Sequence, residues 1–332
     1  MAMHAAARQR LADLAARAIP VALQPTPIEE LSRLRDVLGN GLPPGTVPRI
    51  LVKRDDALPF AMGGNKVRKM RLLVRRALDE GADTLITMGG VQSNHARVTA
   101  AMAAATGMRS VLVLNGATSA SPNGNALLQK LFGAEIVLVG TREEREPMMH
   151  DVARRLEREG RRPSVVPLGG STAEGAVAYA AAFVEMAGQI DPPDWIVHAT
   201  SSGGTQAGLA AGAALLGAAT GITGMSADDP ADLIEAIVKG LVAEIGERVG
   251  APGLAYERTN VDSAFVGPGY GIPTAESAAA MELAARTEGL LLDPVYTAKA
   301  MAGLLAAVRR GAFSDNQTVL FWHTGGLPAL FA

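Results

Sequence analysis

The chain has 332 residues, of which 48% are hydrophobic and 19% charged, a composition typical of a globular protein with a sizeable core. Its net charge is −2 and it has no basic block, which argues against nucleic acid or an anionic membrane as a partner. The absence of cysteine excludes a disulfide scaffold, a thiolate nucleophile and cysteine-held zinc. No apolar run reaches the roughly 18 residues of a membrane span, so we predict a cytoplasmic protein.

The first 20 residues are rich in alanine and arginine and could be taken for a transit peptide. Leu11, Leu14 and Ala18 recur at helical spacing, however, and Asp13 interrupts the basic run. This pattern favours a short amphipathic helix.

Short runs of β-forming residues alternate with Ala-, Leu- and Arg-rich stretches of helical periodicity. Strands are predicted at Arg49–Lys53, Thr84–Met88, Ser110–Leu114, Glu135–Val139, Ser164–Pro167, Trp195–Ala199 and Thr318–His323. Helices are predicted at Lys66–Leu78, Ala96–Thr106, Met148–Arg158 and Ala173–Met186. This alternation predicts an α/β fold, with parallel sheets that carry helices on both faces.

Lysine 66 stands in the first motif, Gly63-Gly64-Asn65-Lys66-Val67-Arg68-Lys69, at the start of a predicted helix. A glycine turn followed by a solvated basic face would explain most such motifs, and the spacing is not that of a P-loop. The alternative is a covalent role for Lys66, because the cations Arg68 and Lys69 would lower its pKa toward a neutral nucleophilic amine.

Two polar motifs follow predicted strands, at the strand ends where α/β proteins bind ligands. In Gln92-Ser93-Asn94-His95, helix capping would explain Ser93 and Asn94, or Ser93 faces a crevice at the positive end of a helix dipole. In Thr200–Gly208, the hydroxyls, glycines and helix start favour a phosphate site over a flexible turn. No Asp or Glu stands at the end of a following strand, as it does in NAD-binding proteins, so a single phosphate is predicted in preference to a dinucleotide.

Together these motifs resemble the fold-type II pyridoxal-5′-phosphate (PLP) enzymes of the 1-aminocyclopropane-1-carboxylate deaminase and D-cysteine desulfhydrase family. The likeness covers nearly the whole chain in order: KRDD, GGNKVRK, GADTLITMGGVQSNHAR, GYGIP, ARTEGLLLDPVYTAKAMAGL and HTGGLPAL. It implies PLP as cofactor and a two-domain fold like that of the tryptophan synthase β subunit. A small domain of residues 60–168 would be inserted into a large domain of residues 1–59 and 169–332. It also implies a homodimer and no metal.

The resemblance assigns roles by position. Lys66 matches the Schiff-base lysine, and Lys69 matches a cation near the cofactor phosphate. The phosphate loop corresponds to Ser202, Gly203, Gly204 and Thr205. On the substrate side, Asn94 matches the partner of the cofactor 3′-oxygen, Ser93 lies beside the substrate carboxylate, and the substrate-binding set also includes His95, Tyr270 and Tyr296. Thr297 and Thr324 fall near the cofactor ring.

Two of these positions bear on the reaction. Cyclopropane-opening members have Glu where this chain has Thr297, and Leu where it has Thr324. A carboxylate at the ring nitrogen favours the pyridinium, a strong electron sink, whereas a hydroxyl leaves a weaker one. This difference favours β-elimination, with D-cysteine converted to pyruvate, sulfide and ammonia; Lys66 would be the base at Cα and a tyrosine would protonate the sulfur. L-Cysteate sulfo-lyase, D-serine or chloroalanine lyase, the cyclopropane deaminase and a non-catalytic PLP- or phosphate-binding protein remain alternatives.

Overall fold

The computed structural model describes residues 2–21, 25–117 and 119–332. The strands are β1 (Ile28–Glu30), β2 (Arg49–Arg54), β3 (Thr84–Gly90), β4 (Arg109–Asn115), β5 (Glu135–Val139), β6 (Pro163–Val165), β7 (Trp195–Thr200), β8 (Gly221–Ser226), β9 (Thr259–Asp262) and β10 (Thr318–His323). The helices are α1 (Ala2–Ala16), α2 (Ser32–Gly39), α3 (Asn65–Asp79), α4 (Asn94–Ala105), α5 (Gly124–Leu131), α6 (Arg145–Arg158), α7 (Ala173–Ala187), α8 (Gly204–Leu216), α9 (Ala231–Val249), α10 (Ala275–Glu288) and α11 (Thr297–Arg309).

These strands form two sheets. The larger has the order β1-β2-β10-β7-β8-β9 and the smaller β5-β4-β3-β6. All pairings between the described strands are parallel except that of β1 with β2. The predicted parallel α/β class is therefore confirmed, and each of the seven predicted strands has a counterpart in the structure.

Three strands, β1, β8 and β9, were not predicted from the sequence. Strand β8 contains two glycines because neighbouring side chains approach its backbone closely. A Cβ on Gly221 would lie 2.3 Å from the Trp195 ring, and one on Gly224 would lie 2.1 Å from Gln206 Oε1. Glycine here marks close packing within a strand, whereas in isolation it indicates a turn.

Helices cover both faces of the larger sheet. Helices α1, α7, α8 and α9 contribute to a core on one face, and α2, α10 and α11 to a core on the other. The predicted N-terminal helix is confirmed as α1, with Leu11 buried in the first core and Leu14 packed against it. Ala18, the third residue of the predicted apolar stripe, lies beyond the end of the helix, and the stripe itself is weak.

The two sheets divide the chain as the resemblance implies. All four strands of the smaller sheet lie between Thr84 and Val165, and all six strands of the larger sheet lie outside residues 60–168. The domain boundaries themselves stay a prediction. Within the described residues, no helix has the length and apolar character needed to cross a bilayer.

Candidate active site

A cleft of about 460 Å³ lies where carboxyl ends of strands from both sheets meet. Its lining consists mainly of segments that follow a strand. They are Gln92–His95 after β3, Asn115–Ala117 at the end of β4, Arg142 and Arg145 after β5, Leu168–Gly169 after β6, Thr200–Gly203 and Thr205 after β7, Asp228 after β8, and Thr324–Gly325 after β10. Lys66, Lys69, Tyr270 and Tyr296 complete the predicted set in this cleft. Gly204 and Thr297 are the two predicted site residues that do not line it.

The loop before Lys66 has an unusual backbone. From Ala61 to Gly64 all four residues have positive φ, between 49° and 97°. A Cβ on Gly63 would lie 2.4 Å from a backbone oxygen, so the close approach requires glycine. The amide of Asn65 donates to the Thr324 carbonyl at 2.9 Å, which ties the start of α3 to the end of β10.

The Lys66 amine reaches into the cleft from the first turn of α3. Burial lowers its pKa to about 8. The sequence-based prediction of a lowered pKa agrees with this, but the predicted cause is wrong. Arg68 is turned away into ion pairs with Asp55 at 2.9 Å and Glu185 at 2.8 Å. Desolvation of the ammonium group, and not repulsion by Arg68, lowers the pKa.

The loop between β7 and α8 forms a small polar cradle. Gly203 has φ +73°, and α8 begins at the next residue. The Ser202 hydroxyl lies 2.8 Å from that of Ser171, and Thr205 Oγ1 accepts from Asn65 Nδ2 at 3.0 Å. Amides at a helix start together with these hydroxyls suit a phosphate.

The buried amine of Lys69 faces this cradle. It donates to Ser171 Oγ at 3.3 Å and to the Gly169 carbonyl at 3.4 Å, and forms no ion pair with any carboxylate of the described residues. Burial, followed by the charge of Lys66, lowers its pKa. A Cβ on Gly204 would lie 2.6 Å from Ser171 Oγ and 2.9 Å from Lys69 Nζ. Glycine at this position therefore leaves space for the Ser171 and Lys69 side chains.

Ser93 both caps α4 and lines the cleft. Its hydroxyl accepts a hydrogen bond from the Ala96 amide at 3.2 Å, and only 8% of the residue is exposed. The capping and crevice interpretations of this motif are therefore compatible. Gly89 of β3 leaves room for the side chain, because a Cβ there would lie 2.7 Å from Ser93 Oγ.

The next two residues of the motif also line the cleft. Asn94 Oδ1 accepts from Asn125 Nδ2 at 3.0 Å, which orients its amide. His95 is buried, and its Nε2 lies 2.9 Å from Thr87 Oγ1. Burial, reinforced by the charges of Lys66 and Lys69, lowers the pKa of His95 well below its usual value, so the ring is neutral at neutral pH.

Tyr270 and Tyr296 form a hydrogen-bonded pair. Their hydroxyl oxygens are 2.5 Å apart and their rings meet edge to face, with centroids separated by 5.9 Å. Desolvation raises the pKa of both phenols, more strongly that of Tyr296, since 42% of Tyr270 is exposed. Both hydroxyls are therefore protonated at neutral pH, and the pair can donate a proton to a group in the cleft.

The two threonines near the predicted cofactor ring differ in position. Thr324 lines the cleft. The Thr297 hydroxyl donates to Asp293 Oδ1 at 2.7 Å and accepts from the Asp293 amide at 2.8 Å. The Thr297 hydroxyl thus donates to the buried Asp293 carboxylate, and Thr297 does not line the cleft. The expectation that this hydroxyl lies near the cofactor ring is therefore corrected.

Other cleft residues were missed in the sequence. Asn65 lines the cleft next to the lysine. Ser171 does not line the cleft but contacts Ser202 and Lys69 at the cradle, and it follows a glycine pair after β6. The pattern used for the other strand ends could have identified both. Arg142, Arg145 and Asp228 had no signal, because they stand in charged runs that resemble solvated surface.

The cleft fits PLP. The Lys69 amine, which has no carboxylate partner among the described residues, and the hydroxyl- and amide-lined cradle suit its phosphate, and Lys66 supplies an amine whose pKa is about 8. A Cβ on Gly169 would lie 2.3 Å from Ser202 Oγ and 3.5 Å from Lys66 Nζ, so glycine keeps this part of the cleft open. Fold and site together define the class of PLP-dependent enzymes of fold type II.

The comparisons with known proteins identify the family. The family described as "Pyridoxal-phosphate dependent enzyme" matches residues 19–325, and the chain belongs to it. D-cysteine desulfhydrase of Yersinia enterocolitica is 42% identical over 315 residues, which cover 92% of this chain and 93% of that protein. D-cysteine desulfhydrase of Serratia proteamaculans is 42% identical over 320 residues, with the same coverage of 92% and 93%.

Solved structures agree. An "ACC deaminase homologue" superposes with a TM-score of 0.88 at 33% identity, covering 97% of this chain and 96% of that one. Threonine deaminase isoform 2 from Solanum lycopersicum has a TM-score of 0.69 at 16% identity, over 96% and 84% of the two chains, and shows the shared fold alone.

Proposed function

We propose that this protein catalyses α,β-elimination from a small amino acid, with D-cysteine as substrate and pyruvate, sulfide and ammonia as products. The observation that carries the proposal is the protonated tyrosine pair in the cleft that holds Lys66. A base and a proton donor on one small substrate are the requirements of elimination. The identity of 42% to two D-cysteine desulfhydrases supports the choice of substrate.

Lys66 would hold PLP through its amine and then act as the base. When bound, PLP would supply the electron sink that acidifies the substrate Cα–H bond. The Lys66 amine, with a pKa of about 8, is neutral in a useful fraction near neutral pH and can take the Cα proton. Ser93 and Asn94, at the start of α4, would hold the substrate carboxylate and the cofactor oxygen, with the helix dipole favouring the anion.

The tyrosine pair would complete the elimination. The electrons of the Cβ–S bond leave with sulfur, which takes a proton from the hydroxyl of Tyr270 or Tyr296. The remaining three-carbon enamine tautomerises and reacts with water to give pyruvate and ammonia. Lys66 and one tyrosine then exchange protons with the products and solvent, which restores both groups.

Elimination is favoured over ring opening of 1-aminocyclopropane-1-carboxylate. Among the described residues that line the cleft, Asp228 is the one acidic side chain, and it is paired with Arg142 at 2.6 Å. No carboxylate in that lining is free to hold a pyridinium proton. Ring opening expels no heteroatom and so requires the stronger sink. A non-catalytic binder would need the phosphate cradle but not Lys66, Ser93 and the tyrosine pair together.

A product screen tests the proposal. Purified protein loaded with PLP is offered D- and L-cysteine, D-serine, L-cysteate and 1-aminocyclopropane-1-carboxylate, and pyruvate, sulfide, sulfite and 2-oxobutyrate are measured. We expect pyruvate and sulfide from D-cysteine and little or no 2-oxobutyrate. Lys66→Ala is the control and should yield neither product. Efficient formation of 2-oxobutyrate by the unmodified protein would contradict the assignment of the reaction.

We also propose a cytoplasmic homodimer. Apolar side chains are exposed on the edge strand β5, on α5 and on the C-terminal turn that packs against α5, namely Leu127, Leu131, Ile136, Leu138 and Phe331. Exposed large apolar side chains that cluster on a surface are typical of a subunit interface. Light scattering after size exclusion should give twice the mass of 34.3 kDa, and Leu131→Lys with Leu138→Lys should reduce it to the monomer.

A further inference from the structure

One cation in the cleft is not used by the reaction as described above. Arg145, the first residue of α6, is 8% exposed and lines the cleft. Its Nε donates to the Arg142 carbonyl at 3.0 Å. Its two terminal nitrogens form no hydrogen bond with the described residues, and no carboxylate of those residues lies within ion-pair distance. The charges of Asp228 and Glu143 act on the guanidinium only from further away.

The other cations of the cleft have partners or roles. Lys69 faces the phosphate cradle, Lys66 is the proposed base, and Arg142 pairs with Asp228. An arginine remains charged in a protein, and a buried charge without a partner costs free energy. Burial of the Arg145 guanidinium therefore costs desolvation free energy, which a bound anion would offset.

The position of Arg145 indicates which anion. Tyr270 lies on the same side of the cleft, and the charge of Arg145 acts against the rise that burial imposes on the Tyr270 pKa. The phosphate cradle and the Ser93–Asn94 carboxylate site have donors of their own. What remains is the substrate group next to the tyrosines, which is the β-substituent that leaves.

We propose that Arg145 binds a negative charge on the β-substituent of the substrate. The substrate class would then be small amino acids whose β-group is anionic when bound, either a thiolate or an oxyanion such as a sulfonate. A guanidinium offers parallel N–H donors that match an oxyanion, and it stabilises the charge that develops as the Cβ–S electrons leave with hydrosulfide or sulfite. This inference rests on the proposed elimination.

The experiment compares β-substituents at constant α-carboxylate. Arg145→Gln and Arg145→Lys are assayed with cysteine and cysteate, which carry or gain a charge on the β-group, and with serine and β-chloroalanine, which do not. All four are used in the enantiomer that the product screen favours. Arg154→Gln is the matched control, because Arg154 lies on the same helix and its side chain is 64% exposed.

For Arg145→Gln we expect KM for cysteine and cysteate to rise about tenfold or more, with KM for serine and β-chloroalanine changed less than about threefold. In Arg145→Lys, KM for cysteine and cysteate should return most of the way to the wild-type value. An equal rise in KM for both groups of substrates would overturn the inference, because the guanidinium would then act on the α-carboxylate or on Tyr270. Unchanged KM for cysteine and cysteate would overturn it as well.

Two further readouts separate this inference from the proposed function. Cysteate binding is followed by the absorbance change of the PLP-loaded protein, which needs no turnover, so the preference for an anionic group can be measured even if no pyruvate forms. Thermal unfolding supplies the second readout. Because the cation is uncompensated, Arg145→Gln should leave the Tm unchanged or raise it, and a lowered Tm would indicate a structural role instead.

Discussion

The pKa of Lys66 is lowered by burial and not by the nearby cation Arg68. The adjacent cation, Arg68, is neutralised by Asp55 and Glu185, so its charge does not act on the Lys66 amine. Removal of the ammonium group from water remains as the cause of the lowered pKa. An amine of this kind should form a covalent bond with a carbonyl compound near neutral pH, where an ordinary lysine is protonated.

The pH dependence of cofactor uptake should report this pKa. The reactive form is the neutral amine, so the rate of covalent PLP uptake by the apoprotein should rise about tenfold per pH unit below pH 8 and level off above it. Stopped-flow absorbance after mixing with PLP measures the rate. Borohydride reduction followed by peptide mapping should place the cofactor on Lys66. A rate that still rises toward pH 10 would show an unperturbed lysine.

At the scale of elements, α3 is held in place by a buried polar cluster around Asp55. The Asp55 carboxylate accepts hydrogen bonds from Arg68 of α3, Tyr179 of α7, Trp322 of β10 and Thr26. Burial favours the neutral acid, but the Arg68 charge and these hydrogen bonds outweigh it and hold the pKa of Asp55 below its ordinary value. The helix that carries Lys66 is thereby joined to the larger sheet.

Asp55→Asn should destabilise the protein by about 3–5 kcal/mol at neutral pH, because it leaves the buried Arg68 short of a counter-charge. The Asp55 pKa is lowered in the fold, so the stability it contributes is present above the unfolded pKa and is lost as pH falls through the folded value. The difference between wild type and variant should therefore shrink in acid. Urea unfolding at several pH values measures it, and Asp151→Asn, on the surface, should change stability by less than about 0.5 kcal/mol.

The start of α8 forms part of the predicted phosphate cradle. Replacement of Gly204 by Val would direct a side chain at Ser171 and Lys69, and Thr205→Val would remove a hydroxyl from the cradle. Both changes should weaken retention of PLP more than they change turnover of fully loaded protein. Equilibrium dialysis measures retention, and Ala214→Ser, on the same helix, is the control. Unchanged PLP affinity in both variants would move the phosphate site elsewhere.

At the scale of the whole molecule, polar contacts join segments of the two sheets on either side of the cleft. One is the pair of Arg142, which follows β5 of the smaller sheet, with Asp228, which follows β8 of the larger. The side chains are 43% and 15% exposed, so the bond is partly screened by water. Because both side chains line the cleft, this ion pair links the two sides of the cleft.

A double-mutant cycle should measure this bridge. Arg142→Gln and Asp228→Asn should each raise KM for D-cysteine a few-fold, and the double variant should be no worse than either single one, because the same interaction is lost. The effect should diminish in high salt, since the pair is partly exposed. Strictly additive losses would show that the two side chains act independently.

Much of the fold can be predicted from the sequence because it depends on local pattern. The runs at Thr84–Met88 and Thr318–His323 alternate with helical stretches, and the polar motifs stand where those strands end. A parallel sheet brings such ends to one edge, so the sequence alone places Ser93 and Ser202 each at a ligand-binding edge. These edges belong to different sheets, and only the packing of the two sheets brings Ser93, Ser202 and Lys66 into one cleft. Strand β8 was missed because its glycines accommodate Trp195 and Gln206, which lie well apart from them in the sequence.

The sequence by itself determined the α/β class and the family, and it predicted the lysine that would carry the cofactor, since these follow from short-range periodicity and contiguous motifs. Only the tertiary structure decided which charges are compensated. It paired Arg68 with Asp55, committed the Thr297 hydroxyl to Asp293, and left Arg145 in the cleft without a carboxylate partner among the described residues. The physical reason is that solvation and ion pairing depend on distances in space, and contacts across the fold set those distances.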